Sequence, residues 1–283
     1  VALHADLMKK NFDRALLQIW LVTVSELKAQ ADSISDDKSP AFYSRLCEAL
    51  EILRRFFHAD GQGVPLDTLK GELFDDTLRS LKLNSLSTEE LMALFHAERL
   101  QEQETQETTE FGTLSVRVYF HHDSLSVEIL SAKNVIPLDP NGLSDPFVII
   151  ELLPRHIFSS CVEQQTVVHK RTLNPVFDEC FEYSVTLEQC RAEGAMILFT
   201  VMDHDVLTFN DFAGEAYLSL NQIPGVDRGT SNADNFHGLK EIELNLMHQR
   251  DREHPILKTL ESRLGDKAAQ DFMKKCRERV TNF

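Results

Sequence analysis

The chain has 283 residues, 42% of them hydrophobic and 26% charged, which is typical of a folded globular protein with about two domains. Its formal net charge of −16 argues against a general nucleic-acid binder, because such proteins present a basic surface. The five cysteines form no close C-x-x-C pair, which favours reduced cytosolic thiols over a disulfide framework or a structural zinc site. The apolar stretch 15–24 is too short to span a bilayer. The chain begins at Val1 inside a helical pattern, as we expect of a fragment of a larger protein.

The first hundred residues have the apolar spacing of amphipathic helices. Apolar side chains recur every three or four positions in 12–27 and again in 42–57. A third helix is predicted at 66–83, and a fourth begins at Ser87, which has capping-box spacing to Glu90. The stripes predict the core of a helical bundle, and a partner-binding surface is the alternative.

A polar, acidic segment at 101–110 lacks large apolar side chains and predicts a helix tail that runs into a linker. After it the apolar period changes to two, which is the period of a strand. Short strands with turn-rich connections predict an eight-stranded antiparallel sandwich. The predicted strands are 114–120, 125–129, 147–153, 161–169, 177–185, 195–202, 212–220 and 239–246. Helical spacing returns from 254 to 280.

These patterns predict α and β structure in separate domains. The expected organisation is a helical segment at 1–104, a linker at 105–111, a β-sandwich domain at 112–248 and a C-terminal helical extension at 249–283.

Five aspartates in two short clusters interrupt the predicted strands. Asp139 and Asp145 lie in LDPNGLSDPF, and Asp203, Asp205 and Asp211 lie in MDHDVLTFND. Carboxylates at this density repel one another unless a cation neutralises them. Oxygen ligands without His or Cys favour calcium or magnesium over zinc, and we interpret the site as calcium-binding. Aspartates that only form turns and caps are the alternative.

The loop between Asp205 and Asp211 carries apolar residues, Val206, Leu207 and Phe209. Such side chains at a charged loop tip predict either packing against the helical domain or insertion into a bilayer interface. Each buried CH₂ contributes about 0.8 kcal/mol, so this tip would anchor the protein once calcium had removed the repulsion from anionic lipid.

Residues 112 to about 246 resemble a C2 domain with the synaptotagmin-like strand order. The motifs are SDPFV at 144–148, LLP at 152–154, KRTLNPVF at 170–177, DHD at 203–205 and GE at 214–215. The resemblance implies that the five aspartates bind two or three Ca²⁺ ions, with Thr208 as a possible further ligand. It also implies ligation by the carbonyls of Leu138 and His204. Pro140, Leu207 and Phe209 match membrane-contacting tips, to which Val206 is added.

One departure from the C2 pattern concerns the fourth strand, which in many C2 domains is rich in lysine and binds phosphoinositides. Here 161–169 reads CVEQQTVVH, and basic residues follow only at Lys170 and Arg171. A strong calcium-independent phosphoinositide site is therefore not expected. Lys170 and Arg171 either contact anionic lipid or are ordinary solvated charges.

The helical segment, the LLPRHIF continuation and the C-terminal helix make the chain similar to the C-terminal end of the Unc-thirteen vesicle-priming family. That end comprises the last part of the MUN helical region and the terminal C2 domain. The complete aspartate set favours the non-neuronal branch of the family. The resemblance implies tethering, priming and fusion of secretory granules or lysosomes. The implied partners are anionic phospholipid membranes, syntaxin-type SNARE proteins and the rest of the same larger protein. The implied location is the cytoplasm, with recruitment to granules, lysosomes or late endosomes and the plasma membrane.

Two other functions compete with this interpretation. The first is a calcium-independent scaffold that binds SNARE proteins and has a purely structural C2 domain. The second is an enzymatic role, either a two-metal site or a regulatory part of a lipid-modifying enzyme. The sequence shows no base–nucleophile pattern, no Gly-rich phosphate loop and no metal-protease spacing, so we do not expect an enzyme.

Overall fold

A computed structural model of the protein describes residues 9–33, 38–205, 210–227, 239–248 and 254–279. The chain divides into two compact units, residues 1–91 with 253–271 and residues 92–252 with 272–283. No helix in these described ranges is both long enough and apolar enough to cross a membrane.

The first unit is helical. Its second helix begins where the Ser39 side chain accepts a hydrogen bond from the Phe42 N–H, with Pro40 at the first helical position, and it ends before the left-handed Ala59. Toward the end of the unit, the Arg263 guanidinium donates to the Leu86 carbonyl at 2.6 Å. The helices that contribute are α1 (Lys9–Asp32), α2 (Pro40–His58), α3 (Leu66–Leu69), α4 (Glu72–Ser85), the start of α5 (Thr88–Thr105), α7 (Pro255–Glu261) and the start of α8 (Lys267–Glu278).

The core of the first unit is built around Trp20. This side chain is buried, its indole N–H donates to the Leu69 carbonyl at 3.2 Å, and its ring lies 5.4 Å from the ring of Phe57 and 5.9 Å from that of Phe74. The predicted apolar stripes therefore form a core, with one difference. Ile19 is 52% exposed, because adjacent residues are about 100° apart around a helix and the neighbouring Trp20 faces the core.

The second unit contains the predicted eight-stranded antiparallel sandwich. One sheet has the order β5-β2-β1-β8 and the other β4-β3-β6-β7. Buried side chains from both sheets form one continuous core between them. The strands are β1 (Thr113–His121), β2 (Ser124–Lys133), β3 (Pro146–Leu153), β4 (Gln164–Gln165), β5 (Val176–Ser184), β6 (Met196–Asp203), β7 (Asp211–Ser219) and β8 (Ile242–Asn245), with the short helix α6 (Leu187–Cys190) between β5 and β6.

The predicted strand at 161–169 is wrong in extent, because only Gln164 and Gln165 pair with β3. Val162 and Val167 are 75% and 61% exposed, so these two apolar side chains do not face the core, whereas Cys161 does. The Val167 N–H donates to the carboxylate of Glu179 instead of a strand carbonyl. The last strand is also shorter than predicted, because the sequence indicated 239–246 and β8 spans Ile242–Asn245.

Helix α5 from Met92 onward and α8 from Phe272 onward also belong to the second unit. They lie on the outer face of the β4-β3-β6-β7 sheet. The Gln103 amide donates to the Tyr217 carbonyl and accepts from the Tyr217 N–H, both at 2.7 Å, so this side chain occupies the free edge of β7. Leu100 packs on a buried outer cluster that consists of Leu153, Met196, Leu198, Tyr217 and Met247.

Candidate functional site

The first aspartate loop connects β2 to β3 and is closed by its own hydrogen bonds. The buried Ser144 hydroxyl donates to the Ile136 carbonyl at 2.8 Å and accepts from the Leu138 N–H at 3.0 Å. The Asp139 N–H donates to the Leu143 carbonyl at 3.0 Å, and Gly142 supplies the left-handed conformation (φ 77°) that the turn requires. Asp139 and Asp145 are thereby fixed at the two ends of one short loop, and Pro140 is exposed at its tip.

The second group of aspartates stands where three strands of one sheet end. Asp203 is the last residue of β6 and pairs in register with Asp211, the first residue of β7. On its other side Asp203 pairs with Pro146, the first residue of β3, which follows Asp145 directly. Strand pairing therefore brings Asp145, Asp203 and Asp211 to one end of the sandwich.

Hydrogen bonds join the two loops. The Asp145 N–H donates to Asp203 Oδ1 at 2.5 Å, and the His204 N–H donates to the Asp145 carbonyl at 3.0 Å. The Asp205 N–H donates to the Asn210 side chain at 3.2 Å. His204 and Leu138, whose carbonyls were predicted ligands, are both half-buried within these loops. Val206, Leu207, Thr208 and Phe209 lie outside the described residues.

The charges of the aspartates act on one another. Burial raises the pKa of Asp203, and the neighbouring charges of Asp139, Asp205 and Asp145 raise it further against the opposing backbone hydrogen bond. Burial also raises the pKa of Asp211, and the charges of Asp205 and Asp139 raise it further. The charges of all five aspartates are thus coupled at this end of the sandwich.

The residues present fit a hard cation. In the part of the chain that the structure describes, no set of three or more His, Cys, Asp or Glu side chains is already arranged around a common metal position. The donors are nevertheless all oxygen, and the repulsion that raises the pKa of Asp203 and Asp211 is what a divalent cation would relieve. One oxygen each of Asp145 and Asp203 is held by a backbone N–H, which fixes the direction of both carboxylates.

The two basic candidates, Lys170 and Arg171, lie in a turn against the first aspartate loop. The Arg171 N–H donates to Asp145 Oδ1 at 2.7 Å, and the Thr172 N–H donates to the Ser144 carbonyl at 2.9 Å. Both basic side chains are exposed. The positioning roles of Ser144 and Asn210 were missed from the sequence, although each is adjacent to a predicted ligand.

The C2 domain family model matches residues 123–254. Over 278 residues, 98% of this chain, the sequence is 43% identical to human BAI1-associated protein 3 and covers 23% of that protein. It is 37% identical to human protein unc-13 homolog D over 280 residues, again 98% of this chain and 25% of that protein. Mouse synaptotagmin-7 is 38% identical over 103 residues, 36% of this chain and 25% of that protein. The chain thus spans about a quarter of the length of the curated relatives it matches.

Within the Unc-thirteen family, the aspartate set favoured unc-13 homolog D as the most similar relative. That narrower prediction is wrong, because BAI1-associated protein 3 is more similar over the same stretch. A full set of five aspartates follows from the chemistry of calcium binding and therefore does not separate one family member from another. The sequence similarity along the whole chain and the observed sandwich agree on the broader assignment. The chain is similar along 98% of its length to unc-13 (Unc-thirteen) homolog D and BAI1-associated protein 3, and residues 123–254, which include most of the β-sandwich, match the C2 domain family.

Proposed function

We propose that the chain is a calcium-dependent, phospholipid-binding module that serves the tethering, priming and fusion of secretory granules or lysosomes. The observation that supports it is the convergence of Asp139, Asp145, Asp203, Asp205 and Asp211 into one cluster of mutually repelling carboxylates. Two or three Ca²⁺ ions are the proposed occupants. The Leu138 and His204 carbonyls and Thr208 are the proposed additional ligands.

The mechanism follows from the charges at this end of the sandwich. The free carboxylates oppose contact with an anionic bilayer. The five carboxylates would hold calcium, whose positive charge would offset their repulsion and attract lipid phosphates. Arg171 orients Asp145, and Asp145 in turn orients Asp203, through the backbone hydrogen bonds described above. Lys170 and Arg171 add exposed positive charge beside the site. Pro140, Val206, Leu207 and Phe209 are proposed to enter the lipid interface.

We propose a division of labour along the chain. The helical segment 1–104 binds syntaxin-type SNARE proteins or the rest of the larger protein, the linker 105–111 joins it to the lipid-binding domain 112–248, and 249–283 is an extension. The module acts at the cytoplasmic surface of granules, lysosomes or late endosomes and the plasma membrane. No catalytic step is part of this proposal.

Cosedimentation of the whole chain with phosphatidylserine vesicles tests the proposal. Pelleting should rise with calcium and should be lost in Asp139→Asn/Asp145→Asn, and calorimetric titration should show heat of calcium binding in the parent and in the control but not in this double variant. Asp178→Asn is the matched control, because Asp178 is an exposed aspartate with a left-handed backbone that Asn accepts. Detectable hydrolysis of phospholipid, abolished by the same double substitution, would favour the enzymatic alternative.

A calcium-independent scaffold is the second candidate. It is favoured by the finding that no three or more metal-binding side chains are preassembled within the described ranges. Equal pelleting with and without calcium, and no heat on titration, would establish it in place of the calcium sensor.

A further inference from the structure

Two glutamates lie buried on the outer face of the β4-β3-β6-β7 sheet, away from the aspartate cluster. Glu151 is in β3 and Glu215 in β7, and their side chains are 7% and 4% exposed. The end of α8 covers them. Lys275 Nζ lies 3.0 Å from Glu151, and the Arg279 guanidinium lies 3.2 Å from Glu151 and 3.3 Å from Glu215. The end of the C-terminal helix thus supplies both cations around Glu151 and shares Glu215 with Arg99, which lies 3.2 Å from it.

The covering segment Phe272–Arg279 is basic and amphipathic. Met273 and Cys276, one helical turn apart, are buried, and the ring of Phe272 packs edge-on against Phe95 at 5.7 Å. The opposite side presents cations to solvent, since Lys274 is 77% exposed and Arg277 is also exposed. Lys274, Lys275, Arg277 and Arg279 are opposed within the segment by Glu278 alone.

The sheet face and an anionic bilayer offer this segment the same chemistry. On the sheet, carboxylates stand beside the buried apolar residues Leu153, Met196 and Leu198. At a bilayer surface, phosphates stand above an apolar layer, and helices with one basic and one apolar face lie in that interface.

The ion pairs on the sheet do not by themselves make docking strong. Burial alone would raise the pKa of Glu151, but the charges of Lys275 and Arg279 lower it, so the carboxylate stays ionised. The attraction in such buried pairs is largely offset by the loss of hydration of both ions. At a bilayer surface Lys and Arg keep their charged ends in water while they attract phosphates. When the segment moves from the sheet to a bilayer, it therefore replaces buried ion pairs, which have lost their hydration, by contacts with phosphates in which the cations stay hydrated.

We propose that Phe272–Arg279 is a second lipid-binding element, which is latched onto Glu151 and Glu215 of the sheet and transfers to an anionic bilayer when it is released. This element works without calcium, and the inference stands apart from the function proposed for the aspartates.

The test uses the whole chain in EGTA, with Glu151→Gln as the releasing variant. This substitution keeps the size of the side chain and removes the charge that Lys275 and Arg279 share, while Arg99 keeps its contact with Glu215. Glu163→Gln is the matched control, because Glu163 lies 3.6 Å from the same Lys275 but is 51% exposed. Hydrogen exchange follows the backbone protection of 272–279 and of β1 and β2, and cosedimentation uses phosphatidylserine-containing and pure phosphatidylcholine vesicles.

Glu151→Gln should lose protection at 272–279, keep it in β1 and β2, and bind phosphatidylserine vesicles at least about tenfold more tightly than the parent, whereas Glu163→Gln should match the parent. Adding Arg277→Glu should reduce that gain at least about fivefold, since one cation near an anionic surface contributes about that factor. Unchanged protection in Glu151→Gln would contradict the latch. Lost protection without a gain in binding, or an equal gain on phosphatidylcholine, would contradict transfer to an anionic bilayer.

Discussion

Replacement of Arg99 tests whether α5 is an integral part of the sandwich unit. The Arg99 side chain is 5% exposed and lies 3.2 Å from the buried carboxylate of Glu215. Removal of one partner of a buried ion pair costs about 3–5 kcal/mol, because it leaves the other charge without compensation. Here Glu215 keeps Arg279 at 3.3 Å and the Tyr217 hydroxyl at 3.1 Å, and Arg99 Nη2 makes no hydrogen bond of its own. We therefore expect the lower end, about 3 kcal/mol, for Arg99→Met.

Thermal and urea unfolding followed by circular dichroism measure this loss, which corresponds to a fall in Tm of roughly 6–12 °C for a unit of this size. Arg117→Met is the control. The Arg117 pair with Glu128 joins β1 to β2 at the surface, its arginine is 33% exposed, and such pairs contribute about 1 kcal/mol or less. The double variant Arg99→Met/Glu215→Gln should lose less than the sum of the two single variants. Equal losses for Arg99→Met and Arg117→Met, or strict additivity in the double variant, would refute the reasoning.

Three further predictions concern stability. Burial, followed by the charge of Arg279, lowers the pKa of His96 from 6.5 to about 4. The protein should therefore keep its full stability above pH 6.5 and lose roughly 3 kcal/mol as the pH falls to about 4, because protonation of the buried ring is unfavourable. Urea unfolding across this range should show that His96→Phe reduces the dependence of stability on pH. Gly225→Ala should destabilise far more than Gly194→Ala in thermal melts. Both glycines have positive φ, but a Cβ at 225 would lie 2.1 Å from a backbone carbonyl oxygen of β1, whereas a Cβ at 194 meets nothing; equal losses would contradict the steric argument. Trp20→Ala should cost about 3–5 kcal/mol in urea unfolding followed by circular dichroism, because it empties the centre of the helical core, and a loss below 1 kcal/mol would contradict that role.

The aspartate cluster was largely readable from the sequence, because each carboxylate stands at or near the end of an apolar strand and strands of one sheet share an edge. The closeness of the two groups, by contrast, depends on the register in which Asp203 pairs with both Asp211 and Pro146. A shift of one residue would turn alternate side chains to the other face, and nothing local in the sequence sets that register.

The sheet face under α8 shows the opposite case. The sequence displays Glu151 inside the apolar strand FVIIELL, which is an unusual place for a carboxylate. Its partners Lys275 and Arg279 are separated from it by 124 and 128 residues. Neither spacing nor period can connect residues so far apart in the chain.

The sequence by itself therefore determined the helical first segment, the eight-stranded sandwich and the five aspartates, because these depend on local apolar period and on residue chemistry. The tertiary structure alone decided that α5 and the end of α8 cover one sheet, and that Glu151 and Glu215 are neutralised there by Arg99, Lys275 and Arg279. The physical reason is that a carboxylate can be buried at low cost only where a cation pairs with it. These cations are distant in the sequence, and folding brings them within 3–4 Å of the carboxylates.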